Sequence, residues 1–255
     1  MAPRTWIVLL ALAASVAVSG AWLFQNRWSV VSALPVPMRD AVFGVRYGFR
    51  IERDVMVAMP DGVRLATNLY FPRNATGKLP TVLIRAPYNK NMHPGALGPA
   101  YEFVGHGYVV AIQDVRGKFA SEGEFTASRL EAEDGSATLD WIVAQPWSNG
   151  RIGTFGCSAL GEAQILLARM RNPHHTAMIP IGAGGAMGSA ANRYTYFGQF
   201  EGGVFQLASG FGWFLYNGGK RPDLEFNGEV DVAKAIWNLP SGSLVRRYRS
   251  DRTDF

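Results

Sequence analysis

Three short and almost uninterrupted apolar runs, Pro80 to Arg85, Tyr108 to Gln113 and Arg151 to Phe155, constrain this chain more than any other feature. A strand with one face in water alternates apolar and polar residues. A run such as Val109-Val110-Ala111-Ile112 does not, and it suits a strand covered on both faces. Helical patterns separate the runs. Arg129 to Gln145 puts Leu130, Asp134, Ala137, Thr138 and Trp141 on one stripe, and Ser158 to Arg171 does the same with Ala159, Ala163, Leu166, Leu167 and Met170. The alternation predicts an α/β fold, a mainly parallel sheet with helices on both faces. Met56 to Met59 and Arg64 to Phe71 flank the turn residues Pro60-Asp61-Gly62 and predict an antiparallel pair before it. Thr176 to Ile181 reads as the next strand, and there is no internal repeat.

With 48% hydrophobic and 18% charged residues, the 255-residue chain can bury a substantial core. The net charge of +5 is spread from Arg4 to Arg252 without a dense basic block, so no nucleic-acid partner is expected. A single cysteine, Cys157, leaves the fold without an intramolecular disulfide in any compartment. Residues 1–24 read as a signal anchor or a cleaved signal peptide. Thr5 to Phe24 carry no charge, about the length a membrane-crossing helix needs. Ser19 and Ala21 supply small residues for a cut, while Trp22, Leu23 and Phe24 prolong the run and favour an anchor. Either reading places the protein outside the cytoplasm, secreted or held at a membrane by this segment. Residues 25–49 then read as a linker, 50–187 as the core and 188–255 as an incomplete helical cap. The cap reading rests on the aromatics Tyr194, Tyr196, Phe197, Phe200, Phe205, Phe211, Trp213, Phe214 and Tyr216, which pack a core or line an apolar pocket.

The chemistry concentrates in Gly150-Arg-Ile-Gly-Thr-Phe-Gly-Cys-Ser158-Ala-Leu-Gly161, an apolar strand running into a serine that opens a helix. That is the setting of a nucleophile elbow, where a sharp turn lifts the hydroxyl above the sheet near the positive end of a helix. Gly156, Ala159 and Gly161 are the small residues that close strand–helix approach demands. The general G-x-S-x-G spacing is not met, because Leu160 stands at the second glycine. An ordinary N-cap serine is the competing reading.

Three further segments decide between them: Arg85-Ala-Pro-Tyr88-Asn-Lys90, Gln113-Asp-Val-Arg116-Gly-Lys-Phe-Ala-Ser-Glu-Gly-Glu-Phe125, and Ala144-Gln-Pro-Trp147-Ser-Asn-Gly150. Together with the elbow they resemble the CocE/NonD hydrolases, the family of cocaine esterase and Xaa-Pro dipeptidyl-peptidases, over roughly residues 50–215. The family elbow, G-x-S-Y-x-G, has the spacing found here, with Ala159 in place of its tyrosine. The resemblance implies an α/β-hydrolase fold, Ser158 as nucleophile, and an oxyanion hole formed by the Tyr88 hydroxyl and the backbone N–H of Ala159. It also implies a small-molecule ester or peptide substrate and no metal or organic cofactor. Asp114 and Arg116 are expected to brace the loop after the fourth strand, and Asp134 to be a hydrogen-bonded structural carboxylate.

The resemblance puts the triad acid and histidine after the cap, so neither is expected within these residues. His93 and His106 precede the serine, contrary to the order of this fold, and His174 and His175 sit at a helix-to-strand connection. The expected activity is hydrolysis of carboxylic esters or acyl-peptide bonds through an acyl-enzyme. A dipeptidyl-peptidase would need a cap carboxylate for the substrate amine, and Glu201, Asp223, Glu225 and Glu229 are not ranked by sequence. A non-catalytic, membrane-tethered binding protein with a partial hydrolase sheet is the rival from another class. Oligomeric state is not legible.

Overall fold

The computed structural model describes residues 34–126, 129–184, 188–190, 193–195, 200–201, 204–221, 230–235 and 237. The chain divides into two compact units, residues 1–46 and 47–255. The apolar segment 5–24 lies outside the described residues. Among those described, no helix is long and apolar enough to cross a membrane.

The segment expected as a linker contains a helix, α1 (Val36–Tyr47). Its caps explain it. Pro37 falls in the first turn, where a missing N–H costs nothing, and Gly48 follows at φ +66, the left-handed conformation that ends many helices. Arg39, Asp40, Phe43 and Gly44 form its buried stripe.

The second unit holds a six-stranded sheet: β1 (Phe49–Ala58), β2 (Arg64–Pro72), β3 (Leu79–Ala86), β4 (Val109–Asp114), β5 (Ser148–Cys157) and β6 (His175–Ile181), in spatial order β1-β2-β4-β3-β5-β6. The β1–β2 and β2–β4 pairs are antiparallel, the rest parallel. Three helices make the crossovers: α2 (Pro94–Gly105) from β3 to β4, α3 (Glu131–Val143) from β4 to β5, and α4 (Ala159–Ala168) from β5 to β6. Helix α2 is hidden in the sequence by Gly95, Gly98 and Pro99. Packing overrides propensity there, burying Ala96, Leu97, Ala100, Tyr101 and Val104 at helical spacing.

Both faces of the sheet are covered. Leu69, Phe71, Leu83 and Ile152 pack with Leu139 and Ile142 of α3 and Leu167 of α4. Their neighbours along the strands point the other way: Tyr70 meets Tyr101 of α2 edge-on at 6.1 Å, and Phe155 meets Phe103 at 5.4 Å. At the outer edge, Met178, Ile179 and Ile181 of β6 remain substantially exposed.

Beyond β6, the segment expected as a helical cap begins with short strands. β7 (Gly188–Ala190) pairs with β8 (Arg193–Thr195), and β9 (Phe200–Glu201) with β10 (Val204–Phe205). Val204 pairs with Glu201 and Phe205 with Phe200, both antiparallel. Helix α5 (Leu207–Asn217) follows, then the short α6 (Val232–Ala235). Phe211, Leu215 and Ala235 form a small core of their own.

Candidate active site

The chain leaves β3 toward β4 on one side and crosses back to β5 on the other, so β3 and β5 are adjacent strands whose following helices depart in opposite directions. With right-handed crossovers those helices lie on opposite faces of the sheet, and a crevice opens beyond the strands' carboxyl ends. Tyr88 follows the end of β3 at Ala86, and Ser158 follows the end of β5 at Cys157. Residues 70 positions apart in the chain thus meet because their strands are neighbours in the sheet.

Ser158 has φ +58 and ψ −127, and its side chain makes no capping bond. A capping serine has extended backbone and its side-chain oxygen accepts a hydrogen bond from an N–H of the first turn, so the N-cap reading does not hold. The conformation is pinned on both sides: Ser158 N–H donates to the Ile181 carbonyl at 2.8 Å, and its own carbonyl accepts from Gly161 and Glu162 at 2.7 and 2.9 Å. Close approach explains the glycines. A Cβ on Gly156 would overlap Leu160, and one on Gly161 would stand 2.9 Å from the Ala183 Cβ. Leu160, which breaks the general motif, is itself buried. Strain at a non-glycine residue with positive φ marks a site whose surroundings over-determine it.

The Tyr88 hydroxyl accepts a hydrogen bond from the Trp213 indole of α5 at 3.0 Å. Burial pushes the Tyr88 phenol above its ordinary value, and hydrogen bonds with Trp213 and the Ser158 side chain oppose that rise. Tyr88 and Ser158 therefore stand close together. Ala159 opens α4, and the first N–H groups of a helix have no intrahelical acceptor. Ser158, Tyr88 and Ala159 are thus brought together at the carboxyl ends of β3 and β5. Cys157 is an exposed free thiol beside them. Glu162, buried in the first turn of α4, raises the Tyr88 value through its charge, and the sequence reading missed it.

None of the four histidines hydrogen-bonds to Ser158. His93 stacks on the Tyr88 ring at 4.8 Å, with its protonation disfavoured by burial. His106 Nδ1 lies 2.8 Å from the Glu102 carbonyl, and His174 Nδ1 3.1 Å from that of Gly150. His175 Nε2 donates to Thr154 Oγ1 at 2.8 Å, since the Thr154 hydroxyl spends its own proton on Gln164.

The acidic residues of the core do structural work. Asp114 accepts from Lys90 N–H at 2.7 Å and pairs with Lys90 Nζ at 2.9 Å, both side chains fully buried. Arg116 forks onto Asp134 at 2.6 and 2.9 Å and reaches Asp61 at 2.7 Å, tying the β1–β2 turn to α3. Arg85 holds Glu131 at 2.8 Å. Glu201 lies on β9, while Asp223, Glu225 and Glu229 fall outside the described residues. Among the described residues, no group of three or more His, Cys, Asp and Glu side chains could hold a metal ion.

Comparison with known proteins agrees with this fold. Residues 61–239 match the family model of the X-Pro dipeptidyl-peptidases (S15 family). Cocaine esterase from Rhodococcus sp. (strain MB1 Bresler) is 45% identical over 119 residues, 46% of this chain and 21% of that protein. Among solved structures, an α-amino acid ester hydrolase superposes with TM-score 0.53 at 26% identity, over 79% of this chain and 38% of the other. An aminopeptidase from the marine-sediment archaeon Thaumarchaeota archaeon superposes with TM-score 0.59 at 22% identity, over 80% and 36%, and shows the fold alone. The chain thus spans about a fifth of the length of the cocaine esterase it matches. With the α/β-hydrolase sheet, the strained serine and the family match across most of its length, the chain belongs to the X-Pro dipeptidyl-peptidase (S15) family of hydrolases.

Proposed function

We propose that this protein is a serine hydrolase cleaving carboxylic esters or acyl-peptide bonds, with Ser158 as nucleophile. The observation that carries the reading is Ser158 itself, held at φ +58 between β5 and α4 and close to Tyr88. In the reaction Ser158 Oγ bonds to the substrate carbonyl carbon as its proton passes to a base. The carbonyl oxygen becomes an oxyanion, stabilised by the Tyr88 hydroxyl and the Ala159 N–H. Collapse expels the alcohol or amine, which takes up the proton, and water then hydrolyses the acyl-enzyme. His106, His174 and His175 are committed elsewhere and His93 stacks on Tyr88, so none of the four histidines is assigned as that base. Ester substrates are favoured by the 45% identity to cocaine esterase. The family model keeps dipeptidyl-peptidase activity as the second reading. The uncharged run from Thr5 to Phe24 supports export, either anchored or secreted.

A fluorophosphonate probe on the natural full-length protein tests the assignment. Ser158 should be labelled and the Ser158→Ala variant should not. Equal labelling of both would remove Ser158 from the mechanism.

A further inference from the structure

A phenol carries one proton, and an oxyanion hole works only if that proton points at the reacting oxygen. The hydroxyl of an isolated tyrosine rotates freely enough to donate to any acceptor nearby. Trp213 limits that choice at Tyr88. An indole N–H is a donor and never an acceptor, so the 3.0 Å bond from Trp213 Nε1 occupies a lone pair of the Tyr88 oxygen. The Tyr88 proton is then excluded from the Trp213 side and left to the side where Ser158 stands. We propose that Trp213 is a positioning residue of the oxyanion hole, fixing the Tyr88 hydroxyl as a donor toward the reacting carbonyl oxygen. This rests on the hydrolytic reading of Ser158 and Tyr88. Accepting the indole bond also makes the phenol a better donor, because the polarised O–H carries more positive charge.

The neighbouring contacts make the bond a fixed feature. Trp213 meets Tyr88 near edge-on, at 6.2 Å and 68°, and lies within 6.3 Å of Phe125. Phe125 packs in turn with Val115 and Phe214. The loop after β4 grips the C-terminal end of α5. Fully buried Lys118 donates to the carbonyls of Asn217 and Gly219, with its Nζ 4.2 Å from the Phe125 ring centroid. Phe119 N–H donates to the Lys220 carbonyl at 2.9 Å. A cation at the carbonyl end of a helix is favourably placed. Because that loop continues directly from β4, α5 and its tryptophan are referenced to the same sheet that carries Tyr88 and Ser158.

The test is a double-mutant cycle on the natural full-length protein with p-nitrophenyl acetate. Trp213→Phe keeps an aromatic ring and deletes the donor. It should lower kcat roughly five- to tenfold, the range one hydrogen bond supplies, while KM stays within about twofold. In a Tyr88→Phe background the same substitution should leave kcat unchanged, since no hydroxyl remains to orient. Should Trp213→Phe fold poorly, the benzothienyl analogue of tryptophan at position 213, with sulfur in place of N–H, should give the same pattern. An equal loss of kcat in both backgrounds, a change confined to KM, or no loss in the Tyr88-containing protein overturns the proposal while leaving the role of Tyr88 standing. If Tyr88→Phe alone costs nothing, the oxyanion role of Tyr88 falls and the proposal with it.

Discussion

Replacing Ser158 by alanine and by glycine separates the strain in the elbow from its chemistry. Both variants lose the hydroxyl, so that loss cancels in the comparison. Ser158 is exposed, so the alanine Cβ packs on little that glycine forfeits. What remains is the backbone. At φ +58 and ψ −127 an alanine stays strained and a glycine does not, a difference of about 1 to 3 kcal/mol. Against it, glycine gives the unfolded chain more freedom, at about 0.5 to 1 kcal/mol. The balance favours Ser158→Gly over Ser158→Ala by about 1 kcal/mol, or about 2 to 4 °C in Tm for a domain of this size. Calorimetry of the two inactive full-length variants under one buffer reads the difference directly. A Ser158→Gly protein that melts at or below the Ser158→Ala protein would refute the argument that packing around β5 and α4 forces this residue into a costly conformation.

Gly156→Ala should abolish folding or lower stability by several kcal/mol, since its Cβ would overlap Leu160, and expression with circular dichroism reads the outcome. Arg116→Ala leaves the carboxylate of Asp134, only 3% exposed, without its forked partner. The cost should fall near about 3 kcal/mol, the low end for a broken buried pair, because Arg85 stands 3.9 Å away and compensates in part. Urea unfolding that shows no loss would contradict it. Burial lowers the pKa of His93 and His175 below the ordinary 6.5, so the folded protein takes up fewer protons than the unfolded chain as pH falls. Stability is therefore full above pH 6.5 and declines as pH drops below it, and His175→Gln should flatten part of that decline in melts taken across the window.

The parallel strands and the helices α3 and α4 are legible in the residue pattern, because runs such as Val109 to Ile112 cannot tolerate water on either face. That pattern also marks Ser158, since Gly156, Ala159 and Gly161 around a serine between a strand and a helix are a local signal. Helices α1 and α2 were missed where Pro37, Gly95, Gly98 and Pro99 argue against a helix and packing outweighs them. The segment read as a helical cap opens with β7 to β10, two or three residues each and too short to show a period in the sequence. Which residues share the site follows from strand order and packing instead. Tyr88 meets Ser158 because β3 and β5 are neighbours, and Trp213 reaches Tyr88 because buried Lys118 holds the end of α5 to the loop after β4. Those are contacts between residues far apart in the chain. Local propensity and periodicity extend over a few turns or one strand, whereas strand order and side-chain bonds of this kind are fixed only when the whole sheet and its flanking helices pack.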